Sequence, residues 1–215
     1  MKRFSVLLVI LCASVYAFGQ KADAAFVVGG SFVSDSKLVF AVPCLVPPCP
    51  ASPTFLDNVK TDHHIFLEGA FAVRLADAKL ASLHLEVPVA GIPSQKLTFA
   101  STPSTVFDHL STVFITPGLR LKILPGAPIS PWASFGGGWA RYSTDSGVKT
   151  NKGAIQYGGG LDFKTGWPLV GFRAEVRDFV TGDPNFGIIS LLTGTGEKGL
   201  HRHNILAGGG IVLHF

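Results

Sequence analysis

The segment VGFRAEVR, residues 170–177, alternates apolar and charged side chains with a period of two. Its even-numbered positions are all apolar, whereas the odd-numbered positions after Gly171 are all charged: Arg173, Glu175 and Arg177. Successive side chains of a β-strand point to opposite sides, so this pattern predicts a strand with one apolar and one charged face.

The same alternation recurs along the chain between turn-forming residues, and it predicts eight strands. We place them at 25–34, 63–75, 81–90, 110–123, 131–142, 152–165, 168–180 and 202–215. After the N-terminal segment, no apolar run reaches the ~20 residues that a membrane helix needs. The sequence therefore predicts an all-β fold. Alternation alone is equally compatible with a soluble barrel.

The lengths of the joins favour the membrane alternative. Three joins are short, at 76–79, 125–130 and 165–168, and they follow the second, fourth and sixth strands. The intervening joins are longer, at 34–62, 91–109, 143–151 and 182–201. Short turns at one end and long loops at the other are typical of outer-membrane barrels. We predict an eight-stranded antiparallel up-and-down transmembrane β-barrel with both termini on the periplasmic side.

The N-terminus is typical of a secretory signal. Lys2 and Arg3 precede an apolar stretch at 4–16 that is too short to span a bilayer. Cleavage is compatible with two sites, after Ala17 or after Ala24, and the A-x-A pattern at 22–24 favours the second. The expected organisation is a signal peptide at 1–24 and a barrel domain at 25–215.

Charge and cysteine content exclude some classes of function. Either cleavage leaves a formal net charge of +2 from the initial +4, which is too small to argue for nucleic-acid binding. Cys44 and Cys49 lie close together in a proline-rich stretch. Because an exported protein meets an oxidising compartment, we regard the two thiols as candidates for a disulfide.

The C-terminal strand ends on Phe215, with Ile211 and Leu213 on the same face, a pattern that resembles the C-terminal assembly signal of bacterial outer-membrane barrels. Several stretches, among them FITPGLRLKI, GAIQYGGGLDF and HNILAGGGIVLHF, resemble small outer-membrane β-barrels related to the OmpA transmembrane domain. The resemblance covers about residues 25–215. It implies localisation in the bacterial outer membrane, with the lipid bilayer, lipopolysaccharide and the barrel assembly machinery as partners.

The charged faces of the strands are expected to point into the barrel. Eight strands enclose a space just wide enough for side chains to fill, so acids and bases there should form ion pairs. The predicted interior set is Glu68, Arg74, His84, Glu86, Arg120, Lys122, Asp162, Lys164, Arg173, Glu175 and Arg177. The expected function is structural, with surface interaction through the long loops. The alternative is a narrow channel for small or hydrophobic solutes.

Three local patterns suggest other chemistry. The G-x-G-x-x-G at 194–199 matches a dinucleotide fingerprint but lies in a predicted loop, so no cofactor is expected. Histidines at 63–64, 201 and 203 lack a complementary ligand set, so no metal site is expected. His109 and Ser111 would share the lipid-facing side, which leaves a lipid A deacylase as a further alternative to the expected non-enzymatic role.

Overall fold

The chain forms a closed antiparallel β-barrel of eight strand positions. The structure is a computed structural model that describes residues 22–33, 36–41, 54–61, 64–99, 108–145, 147, 149–182 and 202–215. Its strands are β1 (Ala22–Val33), β2 (Ser36–Ala41), β3 (Thr54–Thr61), β4 (His64–Ala78), β5 (Ala81–Phe99), β6 (Asp108–Ile115), β7 (Gly118–Ile123), β8 (Ile129–Thr144), β9 (Lys149–Lys164), β10 (Val170–Thr181) and β11 (Arg202–His214).

Neighbouring barrel strands follow one another along the chain. β1 pairs with β4, β4 with β5, and β8 through β11 pair in sequence order. The first and last strands then close the barrel, from Asp23 opposite His214 to Val33 opposite Asn204. All of these pairings are antiparallel, and each predicted strand corresponds to one strand position of the barrel.

The strand predicted at 110–123 is interrupted at Thr116 and Pro117. Its two parts, β6 and β7, lie between β5 and β8 and pair with both. Pro117 has no N–H to donate, so the ladder stops there. Its carbonyl still accepts a hydrogen bond from the N–H of Gly137 at 3.0 Å, which keeps the wall continuous.

At the end opposite the short turns, the length of β5 and the structure of the join at 34–62 differ from the prediction. β5 continues to Phe99, well beyond the predicted end at residue 90, and its extension pairs with β3 through residues 97–99. β3 pairs in turn with β2, so the long join predicted at 34–62 contains a hairpin. This extension lies at the end opposite the short turns.

Along each strand of the barrel wall, side chains point alternately outwards and into the interior. Large apolar side chains such as Phe26, Phe135, Ile155 and Phe172 are exposed on the outside, where they form an apolar belt. Trp167 and Phe215 are exposed at the short-turn end. Because a soluble protein does not expose a continuous apolar surface of this kind, the belt fits the barrel to the hydrocarbon of a bilayer.

Glycines on the inward side make room for large interior side chains. In the triplet 158–160 the first and last residues face inward. A Cβ on Gly158 would lie 2.8 Å from Cγ of Arg177, and one on Gly160 would lie 2.8 Å from the Trp132 ring. These glycines are therefore positions at which any side chain would displace the interior.

Candidate functional site: the barrel interior

The lower interior, towards the short turns, is a network of buried ion pairs. Glu86 lies at its centre and contacts three guanidinium groups. The distances from its Oε1 are 3.3 Å to Arg120, 3.6 Å to Arg173 and 3.1 Å to Arg177. All four side chains are almost inaccessible to solvent, so the three arginine charges must be balanced by Glu86 together with further buried acids.

Each arginine also contacts a second acid. Arg173 binds Asp162 in a two-pronged contact, with Nε and Nη2 at 2.8 and 3.1 Å from its two oxygens. Arg120 contacts Asp23 at 2.6 Å. Arg177 contacts two further carboxylates, Glu68 at 3.0 Å and Glu175 at 3.2 Å. The contacts of Arg173 and Arg177 in β10 with Glu86 in β5 join opposite sides of the barrel, whereas Arg173 and Asp162 lie on neighbouring strands.

A tryptophan that the sequence analysis did not select completes this network. The guanidinium carbons of Arg173 and Arg177 each lie 4.9 Å from the centre of the Trp132 ring, and that of Arg120 lies at 5.9 Å. Cations over an indole face are attracted by its quadrupole, more strongly where water is excluded. Trp132 therefore positions three cations in one layer.

The structure does not bring every predicted interior residue into this network. Arg74 lies near the short-turn end and pairs with Asp77 at 2.5 Å, and Lys164 is exposed at the same end. Lys122 pairs with Asp162 at 2.7 Å, whereas His84 is buried beside the hydroxyl of Ser82. The interior acids include Asp23, which the preferred signal-cleavage site would have removed.

The upper interior contains an apolar cluster, which the charge pattern did not predict. Phe114 stacks on Phe179 with ring centres 4.7 Å apart, and it meets Tyr142 edge-on at 6.4 Å. Phe66 and Leu206 belong to the same cluster of buried residues. We call this cluster the apolar plug. Further towards the loops, the Tyr142 hydroxyl lies 2.6 Å from the Thr181 hydroxyl.

The inward position of the plug residues can be found from strand alternation in the sequence, although not from charge. Counting by twos from the inward Arg177 leads to Phe179, from Arg120 to Phe114, and from Glu68 to Phe66. Strand parity would therefore have placed these aromatic residues inside.

The predicted deacylase pair is not arranged as a base and a nucleophile. The Nδ1 atom of His109 lies 3.0 Å from the Ser94 hydroxyl. Ser111 donates its own hydroxyl proton to the backbone carbonyl of Ser143 at 3.2 Å. A nucleophilic serine needs that proton aimed at a base, so the two side chains would have to reorient.

His203 lies on the outer wall, where its Nδ1 is 2.6 Å from Asp178. The Tyr157 hydroxyl donates to the same carboxylate oxygen at 2.7 Å. Within the described residues, no group of three or more potential metal ligands is present. The remaining candidates, His63, His201, Cys44, Cys49 and the 194–199 fingerprint, lie outside the described residues.

Comparison with solved structures agrees with the geometry. The OprG outer-membrane protein of Pseudomonas aeruginosa superposes with a TM-score of 0.53 at 9% identity, covering 91% of this chain and 97% of that one. Neisserial surface protein A gives 0.49 at 12% identity, with the same coverage. The chain has the fold of the small eight-stranded outer-membrane β-barrels. No family model and no curated protein matches its sequence.

The apolar belt and the closed fold together place this barrel in the bacterial outer membrane as an integral protein. In the described part of the chain, no helix is long and apolar enough to cross a membrane. Identities near 10% make the likeness one of fold, so function must be argued from this chain's own interior and surface.

The predicted assembly signal lies at the seam of this outer-membrane barrel. The backbone of Phe215 exchanges hydrogen bonds with Ala22, at 2.8 and 3.3 Å, where the first and last strands meet. The side chains of Ile211 and Phe215 are exposed on the outside. They are therefore available to lipid, or to another protein before the barrel closes.

Proposed function

We propose that the protein is a closed outer-membrane anchor that presents its long loops and the β2–β3 extension outside the cell, and that it passes no solutes. The observation that carries the proposal is the filled interior, which has two different barriers in series. An ion must cross a layer of paired charges and then the apolar plug.

Each barrier opposes a different class of solute. Glu86 and its three arginines occupy the lower interior, so a passing ion would have to separate buried pairs. Phe114, Phe179 and Phe66 are fully buried above them, and a hydrated ion would lose its water there. A hydrophobic solute could pass the plug only by displacing packed rings, and it would next meet the charged layer.

Planar-bilayer recording tests the proposal. The wild-type protein should give no discrete conductance steps. A Phe114→Ala/Phe179→Ala variant hollows the plug and should give more leak than the wild type. The matched control is Phe135→Ala/Phe172→Ala, which changes the same residue type on the outer wall. Discrete steps in the wild-type protein would contradict a closed barrel and favour the channel.

We also propose that the protein does not deacylate lipid A. The hydrogen bonds of His109 to Ser94 and of Ser111 to Ser143 support this, because each holds its side chain in a different contact. Mass spectrometry of lipid A from cells expressing the wild-type protein or Ser111→Ala should give identical acylation patterns. Loss of one acyl chain that depends on Ser111 would contradict this proposal.

The β2–β3–β5–β6 extension supports the surface role. It continues the sheet above the barrel rim, at the end opposite the short turns. We expect lipopolysaccharide to surround the barrel at this level. Barrel-assembly machinery is the partner expected to recognise the last strand before closure.

A further inference from the structure

A cavity of about 550 Å³ opens at the short-turn end of the barrel. The turns that contain Lys79, Gly126 and Trp167 contribute to its wall, and Asp23 and Lys122 line it from the strands. We call it the mouth cavity.

The mouth cavity contains more positive than negative side chains. Its lining includes four basic side chains, Arg74, Lys79, Lys122 and Lys164, against the two carboxylate side chains of Asp23 and Asp77 and the terminal carboxylate of Phe215. Both side-chain carboxylates are already bound. Asp23 contacts Arg120 at 2.6 Å and His214 at 2.8 Å, and Asp77 contacts Arg74 at 2.5 Å.

In the described part of the chain, two of the four cations form no ion pair with an acid. Lys122 is paired with Asp162 at 2.7 Å. Among the ion pairs found in the described part of the chain, none includes Lys79 or Lys164. These two lysines come from different strand ends, yet both line the same concave space. Like charges that share a cavity repel, and an anion between them would remove that repulsion.

We propose that the mouth cavity binds a compact polyanion, with Lys79 and Lys164 as its charged ligands. The ammonium group of lysine is a point charge on a flexible stem, and it accepts phosphate or carboxylate oxygens without a fixed geometry. The cavity volume lies within the range of roughly 300–1,000 Å³ that small-molecule sites occupy. The ligand class is therefore a small molecule with two or more anionic oxygens.

Calorimetric titration of the folded protein in detergent tests this site at constant ionic strength. Pyrophosphate and citrate are the two probes, and their relative affinities separate phosphate from carboxylate ligands. Lys79→Ala/Lys164→Ala should weaken the tighter probe by at least about tenfold, since two charge-assisted contacts are lost. The matched control is Lys149→Ala, an exposed lysine at the opposite end of β9, and it should bind as the wild type does.

Trp167 locates the binding event. Its side chain is 74% exposed at the cavity rim, so the bound anion should change its fluorescence. Trp167→Phe should abolish that change and retain the heat of binding. Heat-modifiable mobility on gels verifies that each variant is folded. Absence of binding to the wild-type protein, or equal affinity in the double-lysine variant, would overturn the proposal.

Discussion

Replacing Arg173 with methionine tests whether the interior ion pairs hold the barrel together. Arg173 is 2% exposed and contacts Asp162, Glu86 and Trp132. Methionine retains most of its length but removes the charge. Asp162 would keep one cationic contact, Lys122 at 2.7 Å, so its charge would be only partly compensated.

The expected loss of stability in Arg173→Met depends on the ion-pair contacts that remain after the substitution. Removing one partner of a buried ion pair costs roughly 3–5 kcal/mol. Since Lys122 still contacts Asp162 and Glu86 keeps two arginines, we expect the lower end, about 3 kcal/mol. In an Asp162→Asn background the same replacement should cost at most about half as much, because the stranded charge is gone.

Urea titration of protein refolded into lipid vesicles measures these free energies. The matched control is Lys164→Met, which removes an exposed cation two residues from Asp162 in the same strand. It should change stability by no more than about 0.5 kcal/mol. An Arg173→Met barrel as stable as the wild type, or one whose loss is unchanged by Asp162→Asn, would refute the reasoning.

Three further predictions concern the wall, the seam and the N-terminus. Phe172→Arg puts a charge on the lipid-facing side and should cost roughly 2–4 kcal/mol near the bilayer midplane, measured by the same titration; a cost near zero would argue for a solvated wall. Phe215→Asp should reduce the heat-modifiable barrel recovered from membranes, because the last strand is then poorly recognised; unchanged yield would exclude Phe215 from the assembly signal. Intact mass should show a mature chain that begins after Ala17, since β1 starts at Ala22 and Asp23 pairs with Arg120; a chain that begins at Ala25 would contradict this.

The sequence contained enough information to locate the barrel strands. Alternation depends only on which residues face lipid, and the belt provides that contrast along the strands of the barrel wall. The breaks were harder to locate. Pro117 interrupts a pattern that remains alternating, whereas β5 continues beyond residue 90 through Gly91 and Pro93, residue types that usually end a strand, with a register shift between Ile92 and Gln95.

The interior was less predictable because charge identifies only part of it. Trp132 and Phe179 are apolar residues on inward positions, so hydrophobicity alone assigns them to the wrong face. Their partners come from distant strands: Arg177 meets Glu86 across a sequence separation of 91 residues. Such contacts depend on strand register and shear, which a single sequence does not reveal.

Asp23 illustrates a different kind of conflict. Its neighbours form an A-x-A pattern that suggests signal cleavage, yet the same residue lies in β1 and contacts both Arg120 and His214. The A-x-A pattern thus predicts cleavage after Ala24, whereas the buried pair of Asp23 and Arg120 requires a mature chain that still contains Asp23. We therefore expect cleavage after Ala17, because removing Asp23 would leave the Arg120 side chain with one fewer carboxylate.

Cysteine labelling on whole cells tests the central claim most directly. In a background without Cys44 and Cys49, single cysteines replace Asp145 at the loop end, Gly126 in a short turn and Ala140 in the apolar plug. A closed barrel spanning the outer membrane predicts that an impermeant maleimide labels Asp145→Cys on intact cells, Gly126→Cys only after lysis and Ala140→Cys only after unfolding. Labelling of Ala140→Cys in the folded protein would contradict the closed interior, and labelling of Gly126→Cys on intact cells would contradict the orientation.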